Sequence, residues 1–119
     1  MNKKNFERWV KAYIACWKNS DPEKVAALFT ANARYQTQAF RPPIAGRGKI
    51  VKMWMERSVW QGKWSFKCKW VAIQGNVGVL EGVTTYRSTV GTFYNLWTIK
   101  LQADGRCSEF QEVWVRKNK

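Results

Sequence analysis

The 119-residue chain contains no histidine. Without an imidazole there is no Ser-His or Cys-His pair to activate a nucleophile, which excludes covalent catalysis of that kind and leaves carboxylates as candidate bases. Cysteine is scarce as well. Cys16, Cys68 and Cys107 are the three in the sequence; they cannot all pair within one chain, and neither a Cys-x-x-Cys step nor a His ligand supplies the usual zinc spacings. The expectation is therefore no metal, no cofactor, and three reduced, half-buried thiols. Long apolar runs are missing too, since none approaches the ~20 residues of a membrane span. In the N-terminal MNKKNFERWVKAYIACW, Lys11 breaks the apolar positions, which argues against a signal peptide and for a cytoplasmic chain that enters no membrane. Finally, acidic residues are few: 8 Asp and Glu stand against 21 Lys and Arg, a formal net charge of +13.

What is present is material for one core. Hydrophobic residues make up 45% of the chain and aromatics 15%, with eight tryptophans, enough for a single domain spanning 1–119 but not for two. The cationic excess favours anionic partners through long-range attraction. Its members are dispersed along the sequence, however, and no basic tail, zinc finger or RNP-type motif organises them. Two readings stand: a solvated basic surface, or a surface that meets nucleic acid or an acidic protein.

Periodicity divides the chain in two. Over residues 3 to 18, Phe6, Trp9, Val10, Tyr13 and Trp17 recur at helical spacing and form one apolar face. Ser20-Asp21-Pro22-Glu23 then supplies a cap, a first-turn proline and acidic residues for a short second helix near 22 to 30, with Val25, Ala26, Leu28 and Phe29 inward. ARYQTQAF is strand-like until Arg41-Pro42-Pro43 ends it. A third helix starts after Gly46 and runs to about Ser58, with Ile50, Met53, Trp54 and Arg57 along one side. Gly46-Arg47-Gly48-Lys49 lacks the spacing of a phosphate loop and reads as a helix start.

After residue 62 the period becomes two. WSFKCKWV, VGVLEGVTTYR, TFYNLWTIKL and CSEFQEVWV form four consecutive strands, joined by turns at Gln74-Gly75-Asn76, around Ser88 to Gly91 and at Ala103-Asp104-Gly105-Arg106. TFYNLWTIKL is apolar on both faces, so helices are expected to cover one and a second subunit the other. In CSEFQEVWV the alternation puts Phe110, Glu112 and Trp114 on one face, a carboxylate between two aromatics. Three helices followed by a meander imply an α+β fold in which a curved, mostly antiparallel sheet wraps the helices and leaves a conical hollow.

The stretches WKNSDPE, VAALFTANARY, PPIAGRGKI and YNLWTIKLQADGRCSEFQEVW, taken together, resemble the SnoaL-like branch of the nuclear transport factor 2-like superfamily from about residue 6 to 115. The resemblance implies a cone-shaped fold with a pocket at its open end and a dimer formed through the convex face of the sheet. Compared with the related ketosteroid isomerases, Tyr13 falls on their oxyanion-hole tyrosine, Asn95 on their protonated aspartic acid, and Thr37 on their general-base aspartate. Two hydrogen-bond donors are kept in kind while the base is lost, which argues against isomerisation by their route.

Glu112 is the candidate replacement, because Phe110, Trp114 and Trp97 would desolvate it and raise its pKa towards the range of a general acid or base. Tyr13 and Asn95 complete the proposed catalytic set. Trp17, Trp54, Trp97, Phe110, Trp114 and Thr37 are the expected ligand-binding residues. Each also has a plainer reading: Glu112 as a hydrogen-bonded strand partner, Tyr13 as core, Asn95 as a satisfied amide. The functional expectation is a small-molecule-binding domain for an apolar or polycyclic ligand, or a metal-independent lyase, isomerase or hydrolase. The alternative is the basic, non-enzymatic module that binds nucleic acid or an acidic protein.

Overall fold

The computed structural model describes residues 2–37, 40–56, 63–87 and 91–117. Helix α1 (Lys3–Lys18) opens on a capping box, with the Asn2 side chain accepting from Asn5 N–H and the Asn5 side chain accepting from Asn2 N–H. These bonds satisfy donors that a helix start otherwise leaves open. Helix α2 (Pro22–Ala27) starts where Asp21 accepts from Glu23 N–H at 2.9 Å, with Pro22 in its first turn. Helix α3 (Arg47–Glu56) follows Gly46, whose φ of +98° an L side chain would resist. Six strands, β1 (Phe29–Gln36), β2 (Ile44–Ala45), β3 (Trp64–Gln74), β4 (Val77–Tyr86), β5 (Thr92–Leu101) and β6 (Cys107–Arg116), form one sheet in the order β2-β1-β6-β5-β4-β3. Only β1 and β6 run parallel; the other neighbouring pairs are antiparallel.

The core lies between the helices and the inner face of this sheet. Phe6, Trp9, Val10 and Tyr13 of α1 are buried there with Val25, Ile50 and the inward residues Leu80, Trp97, Ile99 and Phe110 of the strands. Trp9 is anchored as well as packed, since its Nε1–H donates to Leu28 O at 2.9 Å. Two strand glycines let rings press onto β4. A Cβ on Gly78 would lie 2.7 Å from Phe6, and one on Gly82 would lie 2.5 Å from Phe66, which itself stacks on Trp97 at 4.9 Å. No helix among the described residues is long and apolar enough to cross a membrane.

Three local features differ from the sequence pattern. Phe29 sits at helical spacing from Val25, yet α2 stops at Ala27 and Phe29 opens β1, where it pairs with Cys107 while Cys107 N–H donates to Leu28 O at 2.8 Å. The two-residue β2 was not expected, and pairs Tyr35 with Ile44 beyond Pro43. The ladder between β3 and β4 also slips between Trp70 and Ala72, a bulge that no alternation announces. The expected ends of the third helix at Arg57 and Ser58, residues Gln38 and Ala39 of ARYQTQAF, and the turn at Ser88 lie outside the described residues.

The thiols divide unevenly rather than being half-buried alike. All three are free, with Cys16 and Cys107 buried and Cys68 exposed on the edge strand β3. Burial pushes the Cys107 thiol up from 9.0 to about 12, and it donates to Glu109 O at 3.1 Å. Burial also raises Cys16, and partial shielding of its sulfur raises Cys68. A chromogenic disulfide reagent should therefore titrate one thiol per native chain, Cys68, and the other two only after unfolding. Up to about pH 9 both folded and unfolded Cys107 are protonated. Above that the unfolded thiolate forms first, so stability should fall as pH rises through about 12, at ~1.4 kcal/mol per unit from this group. Equal labelling of three native thiols would contradict this burial.

Candidate functional site

At the end of the sheet where β4 finishes and β5 begins, the core opens into a cavity of ≈ 350 Å³. The helices contribute Tyr13, Trp17 and Trp54 to its wall, with Ser20 beside them. Tyr35 of β1, Thr84 and Tyr86 of β4, and Phe93, Asn95 and Trp97 of β5 line the sheet side. Glu112 and Trp114 of β6 complete it, with Glu112 half-buried and Trp114 42% exposed, at the mouth.

Alternation explains why these side chains meet. Inward positions in register across β5 and β6 pair Trp97 with Glu112 and Asn95 with Trp114, and those across β4 and β5 pair Thr84 with Phe93 and Gly82 with Asn95. Diagonal neighbours on one face are then within reach of polar side chains. Thr84 Oγ1 donates to Asn95 Oδ1 at 2.7 Å, Asn95 Nδ2 donates to Glu112 Oε2 at 2.8 Å, and Trp97 Nε1 donates to the same oxygen at 2.8 Å. Both of these groups donate, and the carboxylate oxygen is their shared acceptor. Thr84 and Asn95 are 1% and 5% exposed, a burial that a polar pair tolerates because each is hydrogen-bonded.

A second polar pair lies on the helix side. The Tyr13 and Tyr35 hydroxyls are 2.6 Å apart, one donating to the other. Tyr13 is held by rings around it, stacked on Phe110 at 5.1 Å and edge-on to Trp54 at 4.9 Å. Trp54 Nε1 is buried and has no hydrogen-bond partner among the described residues.

Of the residues expected at the site, Tyr13, Trp17, Trp54, Asn95, Trp97, Glu112 and Trp114 come together around the cavity. Phe110 and Thr37 are not in its wall. Phe110 is 2% exposed and buried behind it, with its ring against those of both Tyr13 and Tyr35. Thr37 is half-buried, one residue past the end of β1. Trp97, expected as apolar wall, also supplies a donor to the carboxylate. Sequence reasoning missed Tyr35, Thr84, Tyr86 and Phe93. The signal for Thr84 and Tyr86 was present, because alternation in VGVLEGVTTYR places both on the face opposite Glu81.

The family model for the SnoaL-like domain matches residues 10–115. No curated protein matches the chain. Among solved structures, an NTF-2 like protein from Burkholderia xenovorans superposes with a TM-score of 0.75 at 11% identity, covering 100% of this chain and 89% of that one. A ketosteroid isomerase-like protein from Erwinia carotovora gives 0.68 at 14% identity, over 98% of this chain and 100% of that one. An LEH-like epoxide hydrolase of M. tuberculosis gives 0.65 at 16% identity, over 94% and 84%. Likeness at these identities establishes the α+β cone of the nuclear transport factor 2-like fold and leaves chemistry to the residues themselves. With the family model spanning most of its length, the chain belongs to the SnoaL-like domain family.

Proposed function

We propose that this protein binds a small apolar or aromatic molecule in the cone and acts on it by acid–base chemistry through Glu112, as a lyase, isomerase or hydrolase that needs no metal. The observation that carries the reading is a carboxylate with one oxygen fixed by two donors, Asn95 and Trp97, inside an aromatic-walled cavity. Fixing Oε2 orients the carboxyl in the cavity, where it takes or gives a proton. The second hydrogen on Asn95 Nδ2 and the Tyr13–Tyr35 hydroxyl pair are the donors assigned to a developing negative charge on the ligand. The partnerless Trp54 Nε1 in the wall supports a ligand that brings an acceptor. Structural relatives described as an epoxide hydrolase and as ketosteroid isomerase-like support an enzyme.

The test uses N-phenyl-1-naphthylamine, a neutral aromatic fluorophore with one N–H. The parent should bind it, and Glu112→Gln and Asn95→Ala should each weaken binding about tenfold, the size of one charge-assisted hydrogen bond. Unchanged affinity in both variants would remove these residues as polar anchors.

The same reading places a second copy of the chain on the convex face, where Val83, Tyr94, Val113 and Val115 are 44%, 41%, 37% and 59% exposed. Light scattering should then give twice the chain mass of 13.9 kDa. A monomer at all concentrations would contradict the dimer without touching the cavity.

A further inference from the structure

The two side chains that donate to Glu112 are themselves held in different ways. Trp97 is fixed by packing, since its ring stacks on Phe66 at 4.9 Å and lies 4.8 Å from Tyr13 and 5.4 Å from Phe110. At 1% exposure it needs no further hydrogen bond to keep its Nε1–H aimed. Packing cannot do the same for Asn95. The two ends of a side-chain amide have nearly the same shape, so only hydrogen bonds decide which end is oxygen and which is nitrogen. The residues in register with Asn95 are Gly82, which has no side chain, and Trp114, 42% exposed, and neither donates to it.

Thr84 makes the deciding bond. It sits on the inward face of β4, in register with Phe66 of β3 and Phe93 of β5 and diagonal to Asn95. Its hydroxyl is 1% exposed with its residue and donates to Asn95 Oδ1 at 2.7 Å. Flanked by two phenylalanines, it has no other hydrogen-bond partner among the described residues. With Oδ1 occupied, Nδ2 is left to face Glu112 Oε2 at 2.8 Å. Turned over, the amide would set its oxygen against a carboxylate oxygen, two acceptors face to face. The two bonds run in one direction, from Thr84 through Asn95 to Glu112, so that the first polarises the amide and strengthens the second.

We propose that Thr84 is a positioning residue for the Glu112 carboxylate, fixing the Asn95 amide so that its nitrogen end serves both the carboxylate and a ligand in the cavity. This role rests on the acid–base reading above and deepens it, by naming the residue on which the orientation of that machinery depends. Its consequence for specificity is that a ligand atom beside Asn95 meets a donor and must itself be an acceptor. Thr84 exerts this through Asn95, which separates its role from that of the aromatic wall.

Thr84→Val keeps the shape of the side chain and removes the hydroxyl. It should weaken binding of N-phenyl-1-naphthylamine about fivefold, the size of one neutral hydrogen bond, whereas Thr84→Ser keeps the hydroxyl and should stay within about twofold of the parent. Thr84→Ala removes the same hydroxyl without a branched replacement and should also weaken binding. In an Asn95→Ala background Thr84→Val should have no further effect, because the amide through which it acts is gone; a mere change in wall shape would weaken binding in both backgrounds. The ligand-free, 15N-labelled protein supplies a second readout. The Asn95 side-chain amide signals should move in Thr84→Val towards those of a solvent-exposed amide and return in Thr84→Ser, with the Trp97 indole signal moving far less. Thermal unfolding establishes that the variants are folded. Unmoved Asn95 signals in Thr84→Val, or equal losses of affinity with and without Asn95, overturn the inference while probe binding by the parent upholds the cavity. Failure of the parent to bind the probe overturns the cavity reading and the inference with it.

Discussion

Phe110→Ala should destabilise the protein by about 3–5 kcal/mol, the range for removing a fully buried aromatic, and lower the thermal midpoint by on the order of 15 °C for a chain of this size. The expectation follows from its position. Phe110 is 2% exposed and stacks on Tyr13 at 5.1 Å and on Tyr35 at 4.8 Å, with Trp97 and Trp9 at 5.4 and 5.9 Å. It ties α1, β1 and β5 to β6 at one point. Both tyrosines line the cavity and their hydroxyls bond to each other, so losing the ring they stack on should also loosen the cavity wall. Denaturant melts of Phe110→Ala and Phe110→Leu check this, with the leucine variant losing much less because it keeps most of the volume. A loss below about 1 kcal/mol for alanine would mean that the stack does not carry the core.

At Glu112 hydrogen-bond acceptance should matter more than charge for folding, and the reverse for function. Glu112→Leu leaves Asn95 Nδ2 and Trp97 Nε1 without their acceptor, at about 1–3 kcal/mol per buried donor. Because Glu112 itself is half-buried, water can reach part of the network, and a total of about 2–4 kcal/mol is expected. Glu112→Gln keeps an acceptor oxygen in the same place and should stay within about 1 kcal/mol of the parent. It removes the ionisable group, however, so any turnover found should fall by about 10²–10⁴-fold. Equal stability of the leucine and glutamine variants in urea melts would show that the two donors do not depend on this carboxylate.

The sequence and the structure part company where contacts are long-range. Helix α1 was legible to the residue, because Phe6, Trp9, Val10 and Tyr13 repeat at helical spacing. Phe29 was not, since its fate is decided by a parallel pairing with Cys107, distant in sequence, against a local spacing that favours helix. Strand β2 has two residues, too few for any period to register. At the site, alternation alone puts Asn95, Trp97, Glu112 and Trp114 on one wall. Which donor meets which acceptor depends on the register between strands, and so Thr84 and the indole N–H of Trp97 escaped notice as polar partners. Phe110 shows the opposite failure: its strand face was legible, but the rings of Tyr13 and Tyr35 that cover it come from α1 and β1.

The central claim is that a ligand enters among the tryptophans and reaches the Asn95–Trp97–Glu112 network. Indole Nε1–H resonances of 15N-labelled protein report on it directly, because the tryptophans sit at known depths. Addition of N-phenyl-1-naphthylamine should move the signals of Trp54 and Trp97, and those of Trp17 and Trp114 at the mouth, while Trp9, bonded to Leu28 O beneath the floor, moves far less. Saturable probe binding that leaves the Trp54 and Trp97 resonances in place would contradict the account.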